Sequence, residues 1–260
     1  MFFVIESINF DYNLAVVGSR KASNESRIAL NSLIKNLRNT NLNIVSGLAY
    51  GADTQAHISA IENNLKTIAV VGSGLDIVYP AANKTLFNNI INGNGIVIIE
   101  YPCTTQPMPA NFPQRNRIVV GLSKGTLVVE AQMKSGALIS ARLTLDYNRE
   151  LMCIPGNILN PNTEGIYYLI KNGCSIVTEA NDILNYLNLE INIYNAKNTN
   201  TIELSNPKKQ ILEILALEAK SFDEIINNTD YETDEIMVAL TELEFDGLIK
   251  QTGNKYYKCM

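Results

Sequence analysis

The chain has 260 residues, of which 46% are hydrophobic and 18% are charged, and its formal net charge is -5. These proportions are typical of a globular protein with one large domain or two unequal ones. No apolar run approaches the roughly 20 residues that a membrane helix needs. The opening residues, MFFVIESINF, lack the basic start and cleavage site of a signal peptide. We therefore expect a cytoplasmic protein that does not enter a membrane.

Four scattered cysteines and a single histidine, His57, form no metal-ligand pattern. A zinc site would need these ligands to be clustered. We interpret the cysteines as small apolar residues in a reducing compartment. His57 is expected to be a structural hydrogen-bonding residue, and no metal site is predicted.

Up to about residue 185, short apolar β-branched runs alternate with longer amphipathic stretches. Strands that are apolar throughout are typical of parallel sheets buried on both faces. Between them, residues such as Ala29, Leu33 and Leu37 in 26–38 recur on one helical face. The alternation predicts an α/β domain, a mostly parallel sheet with helices on both faces. The predicted strands are 14–18, 43–47, 67–72, 95–100, 126–131, 151–156 and 175–178.

The remaining sequence predicts a linker and a small second domain. Residues 188–206 are rich in Asn and Thr and show no core pattern, so we divide the chain into a domain at 1–187, a linker at 188–206 and a domain at 207–260. In the last part, PKKQILEILAL, SFDEIINN and TDEIMVALTELEFDG predict three helices, and the second begins with a capping-box-like Ser221-x-x-Glu224. LIKQTGNKYYKC predicts a hairpin turning at Gly253-Asn254. Three helices followed by a hairpin indicate a winged helix.

The third of these helices is acidic. It carries Asp and Glu residues and no Lys or Arg, although related helix-turn-helix proteins read DNA with this element. Because phosphates would repel it, major-groove binding is disfavoured and a protein-contact or packing role is predicted. Its acidic residues are Asp234, Glu235, Glu242, Glu244 and Asp246.

Glycine and small polar residues follow three predicted strands, in VVGSR, VSGLAYGAD and VVGSGLD. Ligands of open α/β sheets bind at the carboxyl ends of the strands, and glycine lets backbone N–H groups approach phosphate oxygens. Tight turns also need glycine for their own sake, so a phosphate site and a plain turn both remain open. Neither a G-x-G-x-x-G fingerprint nor a P-loop is present, so no bound dinucleotide, ATP or other cofactor is predicted.

Two arginines, Arg115 and Arg117, precede an apolar run that predicts a helix from residue 118. A helix start disfavours positive charge, which suggests that an anion binds there. Guanidinium groups bind phosphates bidentately, and Phe112 offers a surface on which a base could stack. With Arg20, these residues would form a basic lip over the glycine turns.

A second candidate cradle is KSGALISARL, where Ser135 and Gly136 look like the cap and first amide of a helix. Such a start can hold a phosphate, or it can simply begin a core helix. The arginines likewise have a simpler interpretation, in which they pair with Glu100 or Glu130.

The order and spacing of these motifs resemble the DNA-processing protein A family (DprA, also called Smf). The resemblance covers about residues 12–185 and rests on VVGSR, SGLAYGADTQAH, TIAVVGSGLDIVYPAAN, EYPCTTQPMPANFPQRNRIVVGLS, VVEAQMKSGALISAR and CIPGNILNPNTEGIYYLIKNG. It implies an extended Rossmann-like domain that forms homodimers, binds and protects single-stranded DNA during natural transformation, and loads the recombinase RecA onto it without acting as an enzyme. Only about a dozen residues precede the first predicted strand, so the helical SAM-like domain of many family members is expected to be missing.

The resemblance also implies which residues act. It places dimerisation and RecA contact around 165–187, where Tyr168, Leu169 and Ile170 form an apolar stripe that could equally belong to the core. The residues that it implies for the single-stranded DNA pocket are Gly18, Ser19, Arg20, Ser46, Gly47, Phe112, Arg115, Asn116, Arg117, Ser135 and Gly136.

Two other functions are considered. A related Rossmann-like fold occurs in the LOG-type nucleotide phosphoribohydrolases, for which Glu100 and Glu130 at strand ends would be the acid–base candidates. Of their G-G-x-G-T-x-x-E signature, SKGTLVVEA keeps only Gly-Thr and Glu. The chain could also be an adaptor that acts through its acidic winged helix and a dimer surface.

Overall fold

The structure is a computed structural model that describes residues 2–3, 12–93, 95–189, 206–215, 219–229, 231–245, 248–252 and 255–258. The chain divides into two compact units, Met1–Ile193 and Tyr194–Met260. Most of the predicted linker and the predicted Gly253-Asn254 turn lie outside the described residues. Within the described ranges, every helix is too short or too polar to cross a bilayer.

The first unit is built on an eight-stranded sheet. Its strands are β1 (Phe2–Phe3), β2 (Asn13–Val17), β3 (Asn43–Ser46), β4 (Thr67–Val71), β5 (Ile96–Ile99), β6 (Gly125–Val128), β7 (Glu150–Cys153) and β8 (Ser175–Ile176). Their order across the sheet is β1-β5-β4-β3-β2-β6-β7-β8, and only β1 runs antiparallel to its neighbour. The mostly parallel sheet is confirmed, and β1 is a strand that the sequence analysis missed.

Helices cover both faces of the sheet. They are α1 (Asn24–Asn36), α2 (Ala52–Glu62), α3 (Lys84–Asn92), α4 (Asn111–Gly121), α5 (Gly136–Asp146), α6 (Glu164–Lys171) and α7 (Ala180–Tyr186). On β2, Leu14 and Val16 pack with α1, α2 and α7, whereas Ala15 and Val17 pack on the side of α4, α5 and α6. Because both sides of each strand are buried, the strands are apolar throughout instead of alternating.

The start of α4 corrects one prediction. The helix begins at Asn111 instead of residue 118, so Arg115 and Arg117 lie beyond its first turn and not at its start. Pro113 lies within the first turn of this helix. Proline is tolerated in a first helical turn, where the backbone N–H has no intrahelical acceptor. The helix-dipole argument for an anion at these arginines was therefore wrong.

The order of the strands creates a crevice. From β2 the chain adds β3, β4 and β5 on one side, and then crosses over through α4 to add β6, β7 and β8 on the other. The carboxyl ends of β2 and β6 therefore meet where the connections diverge. Ligands of doubly wound sheets bind at such a switch point.

The second unit is a winged helix, as predicted. It contains α8 (Asn206–Ile214), β9 (Lys220–Ser221), α9 (Phe222–Ile226), α10 (Thr233–Phe245), β10 (Ile249–Thr252) and β11 (Lys255–Lys258), with an antiparallel sheet in the order β10-β11-β9. The predicted capping box at the start of α9 is present, with Ser221 and Glu224 each accepting the other's backbone N–H. Asn206, which we had assigned to the linker, begins α8.

The outer surface of α10 is acidic, as its sequence suggested. Asp234, Glu235, Glu242 and Glu244 are exposed, and Glu242 forms an ion pair of 3.0 Å with Lys208. Asp246 lies outside the described residues. The apolar face of α10 instead packs in the core of the unit, with Ile236, Ala239, Leu240 and Leu243.

Candidate functional site

A pocket of about 460 Å³ opens at the switch point of the sheet. Most of its lining comes from four segments: the turn after β2, the turn after β3, the first half of α4 and the start of α5. Sequence reasoning missed Lys21, Asp53, Gln132 and Asn162, which also line it, because neither their type nor their spacing forms a motif. The structure brings nine of the eleven predicted residues together here: Gly18, Ser19, Arg20, Gly47, Phe112, Arg115, Asn116, Ser135 and Gly136.

The other two predicted residues lie outside the lining. Ser46 is fully buried, and its hydroxyl donates a hydrogen bond of 2.7 Å to the carbonyl of Val16, which ties β3 to β2. Arg117 is half exposed and forms an ion pair with Glu100, which agrees with the simpler interpretation of this arginine. A phosphate would have to compete with Glu100 for its guanidinium group.

Arg115 forms part of the floor of the pocket and is only 3% exposed. Its guanidinium group donates hydrogen bonds to the carbonyls of Gly47 and Val70, at the ends of β3 and β4. These two carbonyls take both protons of Nη1, and Nε donates to Asn116 Oδ1 at 3.3 Å, so only the two protons of Nη2 remain for a phosphate. Arg115 therefore holds the strand ends in place more than it contributes to a basic lip.

Asp53 lies beside Arg115 beneath the Gly47 turn. Burial raises the pKa of Asp53, while the positive charge of Arg115 and the N–H group of Ala49 lower it. Burial likewise lowers the pKa of Arg115, and the charge of Asp53 opposes that effect. Asp53 belongs to the first turn of α2, whose cap position is occupied by Gly51. Because these two charges are opposite, the floor has little net charge. The positive potential of the pocket therefore comes from the residues at its rim.

The rim of the pocket carries Arg20 and Lys21, both exposed on the turn after β2. The guanidinium carbon of Arg20 lies 5.4 Å from the centre of the Phe112 ring, within range of a cation–π contact. The turn itself is fixed, because the N–H of Ala52 donates to the carbonyl of Ser19 at 3.1 Å. A cation and an aromatic face are thus held together at the pocket mouth.

The start of α5 forms the opposite wall. Ser135 occupies the N-cap position, but its side chain caps no backbone N–H group. In the part of the chain that the structure describes, the hydroxyls of Ser135 and Ser140 are buried and make no hydrogen bond. A helix start also leaves its first N–H groups without intrahelical acceptors. This wall can therefore donate hydrogen bonds to a ligand in the pocket.

Glu130 has a structural role. It is fully buried, and its Oε2 accepts hydrogen bonds from the Ser23 N–H at 3.1 Å and from the hydroxyls of Ser23 and Ser26 at 2.7 Å each. These bonds fix the start of α1, directly after the turn that carries Arg20. Neither Glu130 nor Glu100 lines the pocket, so the geometry does not favour them as acid–base residues for a ligand bound there.

His57 is fully buried on α2, behind the pocket. The hydroxyl of Thr67 donates to the carbonyl of Ile44 at 2.9 Å, so it must accept from His57 Nδ1, 2.7 Å away. This fixes the Nδ1–H tautomer, because a hydroxyl has one proton to donate. Burial, followed by the charge of Arg115, lowers the pKa of His57 to about 3.

The three residues suggested for partner contacts differ in exposure. Tyr168 is 49% exposed on α6. Leu169 is buried in the core between α6 and the sheet, and Ile170 is half-buried against the same cluster. Only Tyr168 offers a large side-chain surface to a partner.

The pocket occupies the segment that a protein-family model describes. A model of the DNA recombination-mediator protein A family matches residues 3–188, and a model of the DprA winged helix domain matches residues 195–255. The chain belongs to the DNA recombination-mediator protein A family. The glycine turns, Phe112 and the start of α5 all lie in the Rossmann-like unit that the first family model matches.

Individual relatives agree with this assignment. The chain is 44% identical to DNA processing protein DprA of Streptococcus pneumoniae over 171 residues, which is 66% of this chain and 60% of that protein. It is 34% identical to Protein Smf of Escherichia coli over 253 residues, 95% of this chain and 68% of that protein. The chain therefore spans somewhat more than half the length of these relatives.

Two solved structures share the fold of the first unit. The X-ray structure of DNA processing protein A from Streptococcus pneumoniae matches with a TM-score of 0.64 at 44% identity, covering 67% of this chain and 61% of that one. DNA processing protein A from Helicobacter pylori, whose single-stranded DNA binding mode has been described structurally, matches with a TM-score of 0.62 at 28% identity. That match covers 68% of this chain and 80% of the other.

The Gly47 turn yields a stability prediction. A Cβ at residue 47 would lie 2.6 Å from both Arg115 Cζ and Asp53 Oδ2, so Gly47→Ala should displace the buried charges. We expect it to lower the free energy of unfolding by about 1–3 kcal/mol, as overpacking does. Urea unfolding followed by circular dichroism measures this loss.

Gly136→Ala is the matched control, because no atom lies within 4 Å of a Cβ built there. Its unfolding free energy should stay within about 0.5 kcal/mol of the wild type. Equal stability of the two variants would contradict the proposed role of the Gly47 contact.

The single histidine yields a prediction about pH. Because the folded-state pKa of His57 is about 3, its ring should remain neutral in the folded protein at about pH 5, whereas in the unfolded chain it should titrate near 6.5. Between these two pKa values the unfolded state binds a proton and the folded state does not. The contribution of His57 to the free energy of unfolding is therefore lost as the pH falls from about 6.5 to about 3. NMR titration follows the only imidazole directly. Titration near 6.5 in the folded protein would refute the assignment.

Proposed function

We propose that the chain binds single-stranded DNA in the switch-point pocket and acts as a recombination mediator. In this proposal, it protects incoming strands and loads RecA onto them during natural transformation, as a cytoplasmic homodimer without enzymatic activity. The observation that carries the proposal is the placement of Arg20, Phe112 and the start of α5 around one pocket. The single-stranded DNA binding mode of the Helicobacter pylori relative supports it.

Each wall of the pocket would contribute a different interaction. Arg20 and Lys21 supply positive charge for phosphates, and Phe112 supplies an aromatic face on which a base stacks. Ser135 and Gly136 bring a hydroxyl and a helix start to a second phosphate. These contacts involve the phosphates and the faces of the bases, so little sequence preference is expected.

The other predicted residues would act less directly. Arg115 positions the Gly47 turn and the start of α4, and so indirectly positions Phe112. Ser46 has the same kind of role within the sheet. Asn116 lines the pocket and offers an amide to the strand, whereas Arg117 would contact DNA only beyond the rim.

Partner contacts are proposed from the family. Of the residues suggested on α6, Tyr168 is the one exposed enough to meet a second copy of the chain or RecA. Sedimentation of the wild type and Tyr168→Ala tests the dimer. Filament formation by RecA on coated single strands, with and without the chain, tests the loading step.

The DNA-binding proposal predicts the effect of removing one rim charge. Arg20→Ala should weaken binding to a labelled dT oligonucleotide about tenfold, because it removes a charged contact worth about 1.5 kcal/mol or more. It should also reduce the slope of log affinity against log salt by about 0.7, the value for one phosphate on a single strand. Fluorescence anisotropy across a salt series measures both quantities.

Arg149→Ala is the matched control. It removes the same charge from an exposed arginine just before β7, at the amino ends of the strands and so opposite the pocket, and should leave affinity and slope unchanged. Arg117→Ala should have a smaller effect than Arg20→Ala because of its ion pair with Glu100. If Arg20→Ala binds like the wild type, this site is wrong.

If the wild type does not bind at low salt but releases a free base from AMP, the phosphoribohydrolase alternative replaces the proposal.

A further inference from the structure

A shallow recess adjoins the pocket on the far side of Phe112. Its volume is about 10 Å³, room for little more than a water molecule, so a base could not enter it and would have to lie against the side chains around it. Arg20, Gly47 and Phe112 line both the recess and the pocket. Phe112 and Arg20 therefore form the wall between them.

Two exposed tyrosines border this recess. Tyr79 is 41% exposed and Tyr50 is 48% exposed. The ring centre of Tyr79 lies 5.4 Å from that of Phe112, and the two rings are tilted by 36°. Tyr79, Phe112 and the guanidinium group of Arg20 over Phe112 form an aromatic surface that carries one positive charge, and Tyr50 lies beside it at the recess.

The backbone around Tyr79 is well anchored. The next residue, Pro80, accepts a hydrogen bond of 2.9 Å from the N–H of Asn83. The side-chain amide of Asn83 donates in turn to the carbonyl of Leu48 and to the hydroxyl of Thr54, both at 2.9 Å. The tyrosine is thus placed in advance, which lowers the entropy that a ligand would have to remove.

From this arrangement we propose that Tyr79, flanked by Tyr50, is a second base-stacking platform for the strand that leaves the pocket. One base stacks on Phe112, the neighbouring base stacks on Tyr79, and Arg20 binds the phosphate between them. The proposal rests on the proposed function and extends the site beyond the pocket.

The tilt of the rings indicates which form of DNA fits. Bases that stack on planes inclined by 36° cannot be parallel to each other, although they are parallel in a duplex. The two platforms therefore suit an unstacked single strand. The platforms read only the faces of the bases, so they favour single strands without favouring a sequence.

A tryptophan reporter tests the platform directly. The chain contains no tryptophan, so Tyr79→Trp introduces the only one. A base stacking on it should quench its emission strongly when a dT 15-mer saturates the protein. The control is Tyr147→Trp, an exposed position at the other end of α5 from the pocket, whose emission should not change.

Affinity provides the second readout. Tyr79→Ala should weaken binding of the dT 15-mer roughly 5- to 100-fold, the loss expected for one stacked base, whereas Tyr79→Phe should bind like the wild type. An abasic oligonucleotide of the same length should bind equally to the wild type and to Tyr79→Ala, because it has no base to stack.

The outcomes separate the two proposals. If the wild type binds and Phe112→Ala weakens binding, but Tyr79→Ala binds normally and the emission of the Tyr79→Trp variant is unaffected, the second platform is wrong and the proposed function stands. An equal loss on the abasic strand would also overturn the platform. If the wild type fails to bind dT at low salt, both proposals fail, and the aromatic surface would then be tested as a protein contact.

Discussion

The structure of the site depends on one buried cation. The Arg115 guanidinium group reaches from α4 to the carbonyls of Gly47 and Val70, and the charge of Asp53 lies beside it. A buried charge is tolerated only when hydrogen bonds and opposite charge compensate for its lost hydration. The groups that compensate the charge of Arg115 come from the ends of β3 and β4 and from the start of α2. Arg115 therefore fixes these segments relative to the first half of α4. Gly47 must lack a side chain because the guanidinium group and the carboxylate fill the space beneath it.

This arrangement separates structural charge from ligand-binding charge. At the floor, the charge of Asp53 opposes that of Arg115, so an entering strand meets the positive charge of the rim, on Arg20 and Lys21. The same helix that carries Arg115 also carries Phe112 one turn earlier, so the aromatic face is as fixed as the floor. A rigid aromatic wall with exposed cations around it suits recognition of a backbone and of base faces, and not of base edges. The acidic α10 in the second unit carries no Lys or Arg, so it cannot offer such cations.

Much of the fold follows from local patterns. The apolar β-branched runs predicted seven of the eight strands of the large sheet, and Ser221 and Glu224 predicted the start of α9. The glycine turns indicated the right end of the sheet. The rest depends on long-range contacts that spacing does not show. Nothing in NFPQRNR indicates that Arg115 turns inward while Arg117 turns outward to Glu100, and Tyr79 meets Phe112 only because β4 and α4 are neighbours in space.

Amide hydrogen exchange followed by mass spectrometry, with and without a saturating dT 15-mer, shows which part of the chain binds the strand. It reports on the whole chain and needs no substitution. We expect slower exchange on binding in peptides that cover 18–21 and 135–137, with little change in peptides that cover 206–258. If the strand slows exchange only in 206–258 and leaves the peptides around the switch-point pocket unchanged, the site has been placed in the wrong unit.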